Sequence, residues 1–358
     1  LINKAIEKAD NIIGGKTRRK ADKLIIILNN KAAKYNTKRL KSSRIIFHWK
    51  RSDCFIPLWS VIEIIKLVNE SSLSIKKIEQ KIIYYKSKSS NCVIKANFPL
   101  VINLEMVALY FHLFGDGCFS ENKSTAQYCQ LNKETINNFI QKLENSFGEF
   151  NSNKLKHSKY TFVFPSIFAY LLKYIFNANS FLSNKARIPK RIKELPYLLK
   201  FSGVIAFLID EGNINDRVSF ASSNKLFLED FKKFLFEIGF ESKIHKNIII
   251  LKNKHIPKFY ENYLKIISIS PCCNLTFKED KLKLLYEVNK KGRGHSFSKE
   301  EIKSCQEKII KISENKELRT NKIREILFKK YQYAMSYNAL LKILKKMEKN
   351  NIINRNKV

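Results

Sequence analysis

The chain has 358 residues, 44% hydrophobic and 12% aromatic, so its composition excludes an intrinsically disordered protein and allows two or three domains with sizeable cores. Lysine and arginine number 67 against 32 acidic residues, and the net charge of +35 indicates a polyanionic partner. No apolar run reaches membrane-spanning length. The seven cysteines lack C-x-x-C spacing, the six histidines form no zinc pattern, and no signal peptide is recognisable. These features predict an intracellular protein of the cytoplasm or nucleoid with free thiols.

The first segment, residues 1–98, is predicted to be a basic helical module. Residues 24–28 are strongly apolar within a lysine-rich stretch, which favours a helix there. Pro57 can open a further helix, and Ser74 can cap a second, basic helix after a polar turn. Two short helices joined in this way suit a helix-turn-helix, although an ordinary helical hairpin fits the same signal equally well.

Two apolar runs, residues 109–117 and 204–212, end in the same way. The first run stops at Asp116 and the second at Glu211, and glycine follows the acid in both. An apolar helix that carries an acid in its last turn, present twice, can bring two carboxylates to the floor of one cleft. Paired carboxylates of this kind hold a divalent metal against phosphate oxygens.

The segments after the two acids repeat one order of elements. Each acid is followed by a segment with strand character, a helix, a second strand segment and a further helix. Asn132 and Asn224 are placed to cap the first of these helices, and Gly148 and Gly239 to end it. This order predicts an internal duplication whose halves meet about a pseudo-twofold axis. The predicted repeats cover residues 99–192 and 193–288.

The last segment, residues 289–358, is predicted to be a basic, glycine-containing linker and a DNA-binding tail. Helix candidates lie at residues 299–312, 320–330 and 337–349, and Ile352-Ile353 is a candidate short strand. This order suits a winged-helix domain, and a three-helix cap is the alternative. Its presumptive recognition helix carries Asn338, Lys342, Lys345 and Lys346.

With these motifs, residues 99–288 resemble the two-motif, pseudo-dimeric (DOD-type) LAGLIDADG homing endonucleases. The eighth motif position, the metal-binding acid of that family, is Asp116 in the first copy and Glu211 in the second. Segments such as Pro57-Leu58-Trp59 look like the N-terminal region of archaeal members. The resemblance implies an α+β fold with a duplicated helix–two strands–helix–two strands–helix saddle. It also implies a monomeric, intron-encoded enzyme that makes a staggered double-strand break in DNA.

The resemblance also implies the composition of the site. Mg²⁺ or Mn²⁺ would be held by the Asp116 and Glu211 carboxylates, with main-chain carbonyls at Gly115 and Asp210 as further ligands. A metal held in this way supplies the activated water and the charge neutralisation that phosphodiester hydrolysis needs. The basic residues that the family places after the last strand of a repeat are Lys252 and Lys254 in the second copy, and the first copy has none. The candidates to contact DNA bases from the strands are Gln127, Gln130, Arg217, Ser219, Lys243 and Lys246.

Two residues depart from the family pattern. Phe111 and Asp210 occupy motif positions that are normally small, so that the two motif helices can approach closely. Either Phe111 packs against a small side of the partner helix, or the carboxylates lie too far apart. Because Asp210 precedes Glu211, the identity of the second acid stays open. The alternative functions are a nuclease-inactive nucleic-acid binder, such as an RNA maturase or a transcription regulator, and a decaying copy.

Overall fold

The structure is a computed structural model, and it combines helices with small antiparallel sheets, which confirms the α+β prediction. It describes residues 2–13, 17–32, 40–42, 44–51, 54–68, 79–86, 92–119, 125–152, 155, 158–182, 185–290, 297–313, 318–350 and 352–353. Within these residues, no helix combines the length and apolar character that a membrane crossing requires. The chain divides into two compact units, one made of residues 1–86, 93–101 and 147–150, and the other of residues 87–92, 102–146 and 151–358.

The first unit is mainly helical. Its helices are α1 (Ile2–Ile13), α2 (Thr17–Ala32), α3 (Arg44–Lys50) and α4 (Leu58–Val68), and a two-stranded ribbon joins β1 (Tyr84–Tyr85) to β2 (Ile94–Lys95). Fully buried apolar side chains, among them Ile6, Leu24, Trp49 and Ile64, form one core between the four helices. Burial of these side chains is the main source of the unit's stability.

Two predictions for the first unit can be compared with the structure. The apolar run at 24–28 lies within α2, and Pro57 directly precedes α4, so both predicted helices are confirmed. The second helix of the predicted helix-turn-helix, with Ser74 as its cap and Ile75, Ile78 and Ile82 on its apolar side, begins within residues 69–78, which lie outside the described residues. Its predicted continuation is wrong, because residues 80 and 81 form a turn and Tyr84–Tyr85 form β1.

The second unit contains both acid-ended helices. Its first half contains α5 (Leu104–Phe114), β3 (Gly117–Phe119), β4 (Thr125–Cys129), α6 (Lys133–Phe147), β5 (Thr161–Pro165) and α7 (Ser166–Phe176). Asn132 caps α6 as predicted, because its Oδ1 accepts a hydrogen bond from the Thr135 amide at 3.0 Å. The three strands form an antiparallel sheet in the order β3-β4-β5. Ala126 and Tyr128 point into the core from β4, while Gln127 and Cys129 lie on the other face.

The second half repeats this arrangement with one more strand among the described residues. It contains α8 (Lys190–Lys193), α9 (Tyr197–Glu211), β6 (Gly212–Ile214), β7 (Val218–Ala221), α10 (Lys225–Glu237), β8 (Ser242–His245), β9 (Ile248–Leu251) and α11 (Ile256–Ile269). The sheet order is β6-β7-β9-β8, with every pair antiparallel. Asn224 caps α10 through a 3.0 Å bond from the Phe227 amide, and Gly239 follows the helix at a φ of +81°.

The two acid-ended helices, α5 and α9, pack directly against each other. The ring of Phe111 lies over Gly203, where a Cβ atom would overlap it, so the large residue on one helix faces an absent side chain on the other. Near the other end of the contact, a Cβ at Gly115 would lie 2.5 Å from the Cβ of Asp210. Phe111 therefore packs against a small side of the partner helix, which is the first of the two outcomes considered for it.

The tail is helical and joins the second unit. It follows α12 (Glu279–Lys290) and contains α13 (Lys299–Ser313), α14 (Thr320–Tyr331) and α15 (Tyr337–Lys349), and Ser336 caps α15 as predicted. The prediction of a strand at Ile352 and Ile353 is wrong, because these residues form a bend. The Ile352 amide donates to the Met347 carbonyl at 2.9 Å, so this segment closes back on the helix end. Residues 291–296 of the predicted linker lie outside the described residues.

Candidate active site

Both acids stand at the point where a buried helix turns sharply into a strand. Asp116 lies in the turn after α5, and Glu211 is the last residue of α9. A Cβ atom on Gly117 would lie 2.5 Å from the Leu113 Cα, and one on Gly212 would lie 2.5 Å from the Leu208 carbonyl oxygen. Neither contact can be tolerated. The glycine after each acid is therefore required by the tight helix-to-strand turn.

Asp210 lies beneath these two acids with a side chain that is 0% exposed. Its Oδ1 accepts hydrogen bonds from the Tyr128 hydroxyl at 2.7 Å and from Gln130 Nε2 at 3.2 Å, and its Oδ2 contacts His112 Nδ1 at 2.9 Å. Three partners thus use the lone pairs of this carboxylate. Such a partner set is what a buried carboxylate requires.

Gln130 connects two of the three acids. The same Nε2 group that contacts Asp210 also donates a short hydrogen bond to Asp116 Oδ2. Gln130 was predicted to contact DNA bases, and in this structure its side-chain amide faces the acidic cluster. Its position directly after β4 makes this possible, because the chain leaves the sheet there beside the Asp116 turn.

The crowded carboxylates shift one another's proton affinity. The pKa of Asp116 is raised to about 7, first by burial and then by the negative charges of Asp210 and Glu211. The pKa of Glu211 is also raised, by burial and by Asp210. Burial disfavours a negative charge, and a neighbouring like charge adds to that cost. A cation bound at this cluster would therefore be stabilised by more than one carboxylate.

A buried lysine supplies positive charge below the cluster. Lys278 Nζ donates to the carbonyl oxygens of Leu208, Ile209 and Gly212 at 2.8, 2.6 and 2.6 Å. Burial lowers the pKa of Lys278 to about 8, and the three nearby acids oppose that shift. The ammonium group satisfies carbonyls at the C-terminal end of α9, where a positive charge also complements the helix dipole.

The donor set at this point fits a hard divalent cation. Asp116 and Glu211 are partly exposed carboxylates with raised pKa values, whereas Asp210 is enclosed by its three partners. Within the described ranges, no cluster of three or more His, Cys, Asp or Glu side chains is arranged to hold a metal. Mg²⁺ commonly uses only one or two protein carboxylates together with water and substrate phosphate. A two-carboxylate site is therefore chemically adequate.

The two candidate lysines after β9 have a shared acidic partner. Lys252 and Lys254 each form a short ion pair with Glu241, and His255 Nε2 lies 3.7 Å from the same carboxylate. The two lysines lower the pKa of Glu241 to about 2. Because Glu241 stays ionised near neutral pH, it holds both ammonium groups in place beside the second sheet.

The predicted DNA-contacting residues other than Gln130 lie in the second-sheet groove, on the first sheet, in the β8–β9 turn and on α15. Arg217, Ser219, Lys243 and Asn338 line one open groove of about 1280 Å³, together with Lys252 and Lys254. Gln127 lies on the outer face of the first sheet, opposite Cys118 and Val163. Outside that groove lie the exposed side chains of Lys246, in the β8–β9 turn, and of Lys342, Lys345 and Lys346, on α15.

Three residues at the cluster were not identified from the sequence: His112, Tyr128 and Lys278. His112 stands within an apolar run and Tyr128 within a predicted strand, so each looks like an ordinary core residue of a helix or a strand. Lys278 contacts carbonyls 66 to 70 residues away in the chain, so no local spacing indicates it. An ionisable His112 within an otherwise apolar helix was the one available signal.

The comparisons with known proteins add no family assignment. No protein-family model matches the chain, and no curated protein is similar to it in sequence. The resemblance described above therefore depends on the motif residues themselves.

Proposed function

We propose that this chain is a site-specific DNA endonuclease of the two-motif LAGLIDADG type, which makes a staggered double-strand break by metal-dependent phosphodiester hydrolysis. The observation that carries the proposal is the convergence of Asp116 and Glu211 at the ends of two helices packed against each other. Carboxylates whose charges perturb one another are typical of sites that handle protons or cations.

The arrangement of elements supports the same proposal. Each acid-ended helix is followed by an antiparallel sheet and an Asn-capped helix in matching order. The accommodation of Phe111 by Gly203 removes the steric objection that the unusual motif residue raised. We infer that the two sheets form the duplicated saddle of this family and that the protein acts as a monomer.

The residues of the cluster have distinct roles in this proposal. Asp116 and Glu211 would hold Mg²⁺ or Mn²⁺, and such an ion supplies charge neutralisation at the scissile phosphates and lowers the pKa of bound water. Gln130 orients the Asp116 carboxylate through its hydrogen bond. Asp210 supports Gln130 from below and is saturated by His112 and Tyr128. Glu211 is therefore the second metal-binding acid in this proposal.

Duplex DNA is the proposed substrate because of the charge. A net charge of +35 greatly exceeds what solubility requires, and basic residues line the groove on the second sheet. Contacts from lysine and arginine to phosphate would provide the affinity, and polar residues on the sheet faces would read base edges.

The experiment that tests the proposal is selection of cleaved sites from a randomised duplex library in the presence of Mg²⁺. Asp116→Asn and Glu211→Gln are each expected to abolish cleavage and to keep DNA affinity, because they remove a carboxylate charge without removing volume. Glu229→Gln, at an exposed position on α10, is the matched control and should cleave normally.

The outcomes separate the alternatives. Tight DNA or RNA binding without cleavage under any divalent metal would favour the RNA maturase or transcription regulator. Absence of both binding and cleavage would indicate a decaying copy. An inactive Asp210→Asn variant beside an active Glu211→Gln variant would show that the second acid is Asp210.

A further inference from the structure

The groove on the outer face of the second sheet has walls from two parts of the chain. Ser219 and Lys243 contribute from strands, and Arg217 from the turn between β6 and β7. Asn321 and Asn338 contribute from α14 and α15, about one hundred residues later in the chain. The tail therefore forms part of the surface that the sheet presents.

A half-buried ion pair fixes the tail to that sheet. Asp216 Oδ1 accepts hydrogen bonds from Arg324 Nη1 at 3.0 Å and from the Tyr337 amide at 3.0 Å. The Arg324 side chain is 4% exposed, and its Nε donates to the Met335 carbonyl at 2.8 Å. Because the Arg324 side chain is buried, loss of Asp216 would leave its charge without this partner, so the contact is costly to open.

Apolar packing supports the same attachment. Leu284 of α12 packs against Phe328 and Ala334 of the tail, and all three side chains are buried. Lys281 also pairs with Glu325 at 3.5 Å. Together with the Asp216 contact, this packing sets the position of α15 relative to the second sheet.

The composite surface is strongly basic. Four cationic side chains line the groove, of which Lys252 and Lys254 pair with Glu241, and the acid among its lining residues, Asp216, is paired with Arg324. On α15, one exposed face carries Asn338 and then Lys342, Lys345 and Lys349 at successive turns, while the other face is buried. Lys349 lies 11 residues after Asn338, which already lines the groove, so this row extends the basic groove by about 16 Å along the helix axis.

We propose that the second sheet and α15 form one continuous surface for duplex DNA, so that the protein contacts more DNA beyond the second repeat than beyond the first. This inference rests on the proposed function, because it takes DNA as the polyanion. Because Asp216 fixes the tail to the second sheet, the sheet and α15 would contact the duplex at a constant distance from each other. The tail would thus extend the binding site rather than act as an independently tethered module.

The first test uses the full chain and a random-sequence duplex of about 30 base pairs, with no added metal. The test variant combines Lys342→Gln, Lys345→Gln and Lys349→Gln. Its control, with the same charge change, combines substitutions at exposed positions of α10, namely Lys225→Gln, Lys232→Gln and Lys233→Gln. Each phosphate contact contributes about 0.9 to the slope of log affinity against log salt, so the loss of three contacts should reduce the steepness of that slope by about 2.7 in the test variant. The control variant should keep the slope of the unmodified chain.

The second test is hydroxyl-radical protection on a site that the protein cleaves, with Asp116→Asn as background to prevent cutting. Protection should extend further on one side of the cut by roughly five base pairs, half a turn of duplex, and the lysine variant should shorten that side alone. Symmetric protection, or equal salt slopes for the two variants, would overturn this inference and leave the nuclease proposal intact. Absence of DNA binding by the unmodified chain would overturn both. Tighter binding to duplex RNA than to DNA would overturn the choice of DNA as partner.

Discussion

The contact between Phe111 and Gly203 gives a direct test of how the two acids are brought together. Three ring carbons of Phe111 lie within 3.1 Å of the position of a Cβ on Gly203, whereas ordinary carbon contacts are about 3.5–4.0 Å. The ring is fully buried and stacks on Phe234 with centroids 5.8 Å apart, so it has little room to move. Gly203→Val is therefore expected to force α5 and α9 apart.

The magnitude follows from the cost of overpacking. Extra methyl groups in a packed core cost about 1–3 kcal/mol, and valine and glycine differ in helix propensity by only a few tenths of a kcal/mol. Gly203→Val should thus lower the free energy of unfolding by about 2 kcal/mol. Phe111→Ala alone should cost about 3–5 kcal/mol through the cavity that it leaves. In the double variant the valine side chain occupies that cavity, so the cost of Gly203→Val should disappear.

The assay is urea unfolding of the four proteins in this double-mutant cycle, with a cleavage measurement on each. We expect a coupling free energy of about 2 kcal/mol between the two positions. Cleavage by Gly203→Val should fall even where the protein is fully folded, because the carboxylates move apart. A coupling near zero, with normal cleavage by the valine variant, would refute the view that this contact sets the separation of the acids.

Two further predictions concern charge at the cluster. The pKa of Asp116 is about 7 in the folded protein, so the folded chain keeps this proton up to about pH 7, whereas the unfolded chain loses it above about pH 4. The free energy of unfolding therefore falls as the pH rises between these two values. Asp116→Asn should therefore stabilise the protein more at pH 8 than at pH 5, by about 2 kcal/mol after solvent screening, and equal effects in urea unfolding at the two pH values would contradict this. Lys278→Met leaves three main-chain carbonyls at the end of α9 without their donor and should cost about 3 kcal/mol in the same assay, whereas exposed Lys283→Met should cost little.

Features with a local cause were predictable from the sequence. Asn132, Asn224 and Ser336 each cap the helix that the sequence assigned to them, because a cap depends on a side chain and an amide only three residues apart. The acid-ended helices were predictable for a similar reason. The glycine after each acid reports a tight turn that no larger residue can make.

Features that depend on distant contacts were not predictable. Gln130 was predicted to contact DNA, because the sequence does not show which residues an outward-facing polar side chain beside a strand will contact. Its actual partners, Asp116 and Asp210, come from the turn after α5 and from α9. Strand β8 was not located from residue patterns, because three of its four residues are exposed and it shows no regular alternation. The bend at Ile352 likewise depends on the helix end beneath it.

The two halves of the proposed site are unequal, and this inequality predicts unequal cleavage of the two DNA strands. Lys252 and Lys254 follow the last strand of the second half, whereas Pro165 and Ser166 stand at the corresponding point of the first. On a supercoiled plasmid with one cleavage site, nicked circles should therefore accumulate before linear product appears. Changing both lysines to methionine should slow the faster cut and reduce the nicked intermediate, while Lys243→Met, in the same groove, should weaken binding and leave the ratio of the two rates unchanged. Direct conversion of supercoiled to linear DNA by the unmodified chain would show that these lysines do not distinguish the strands.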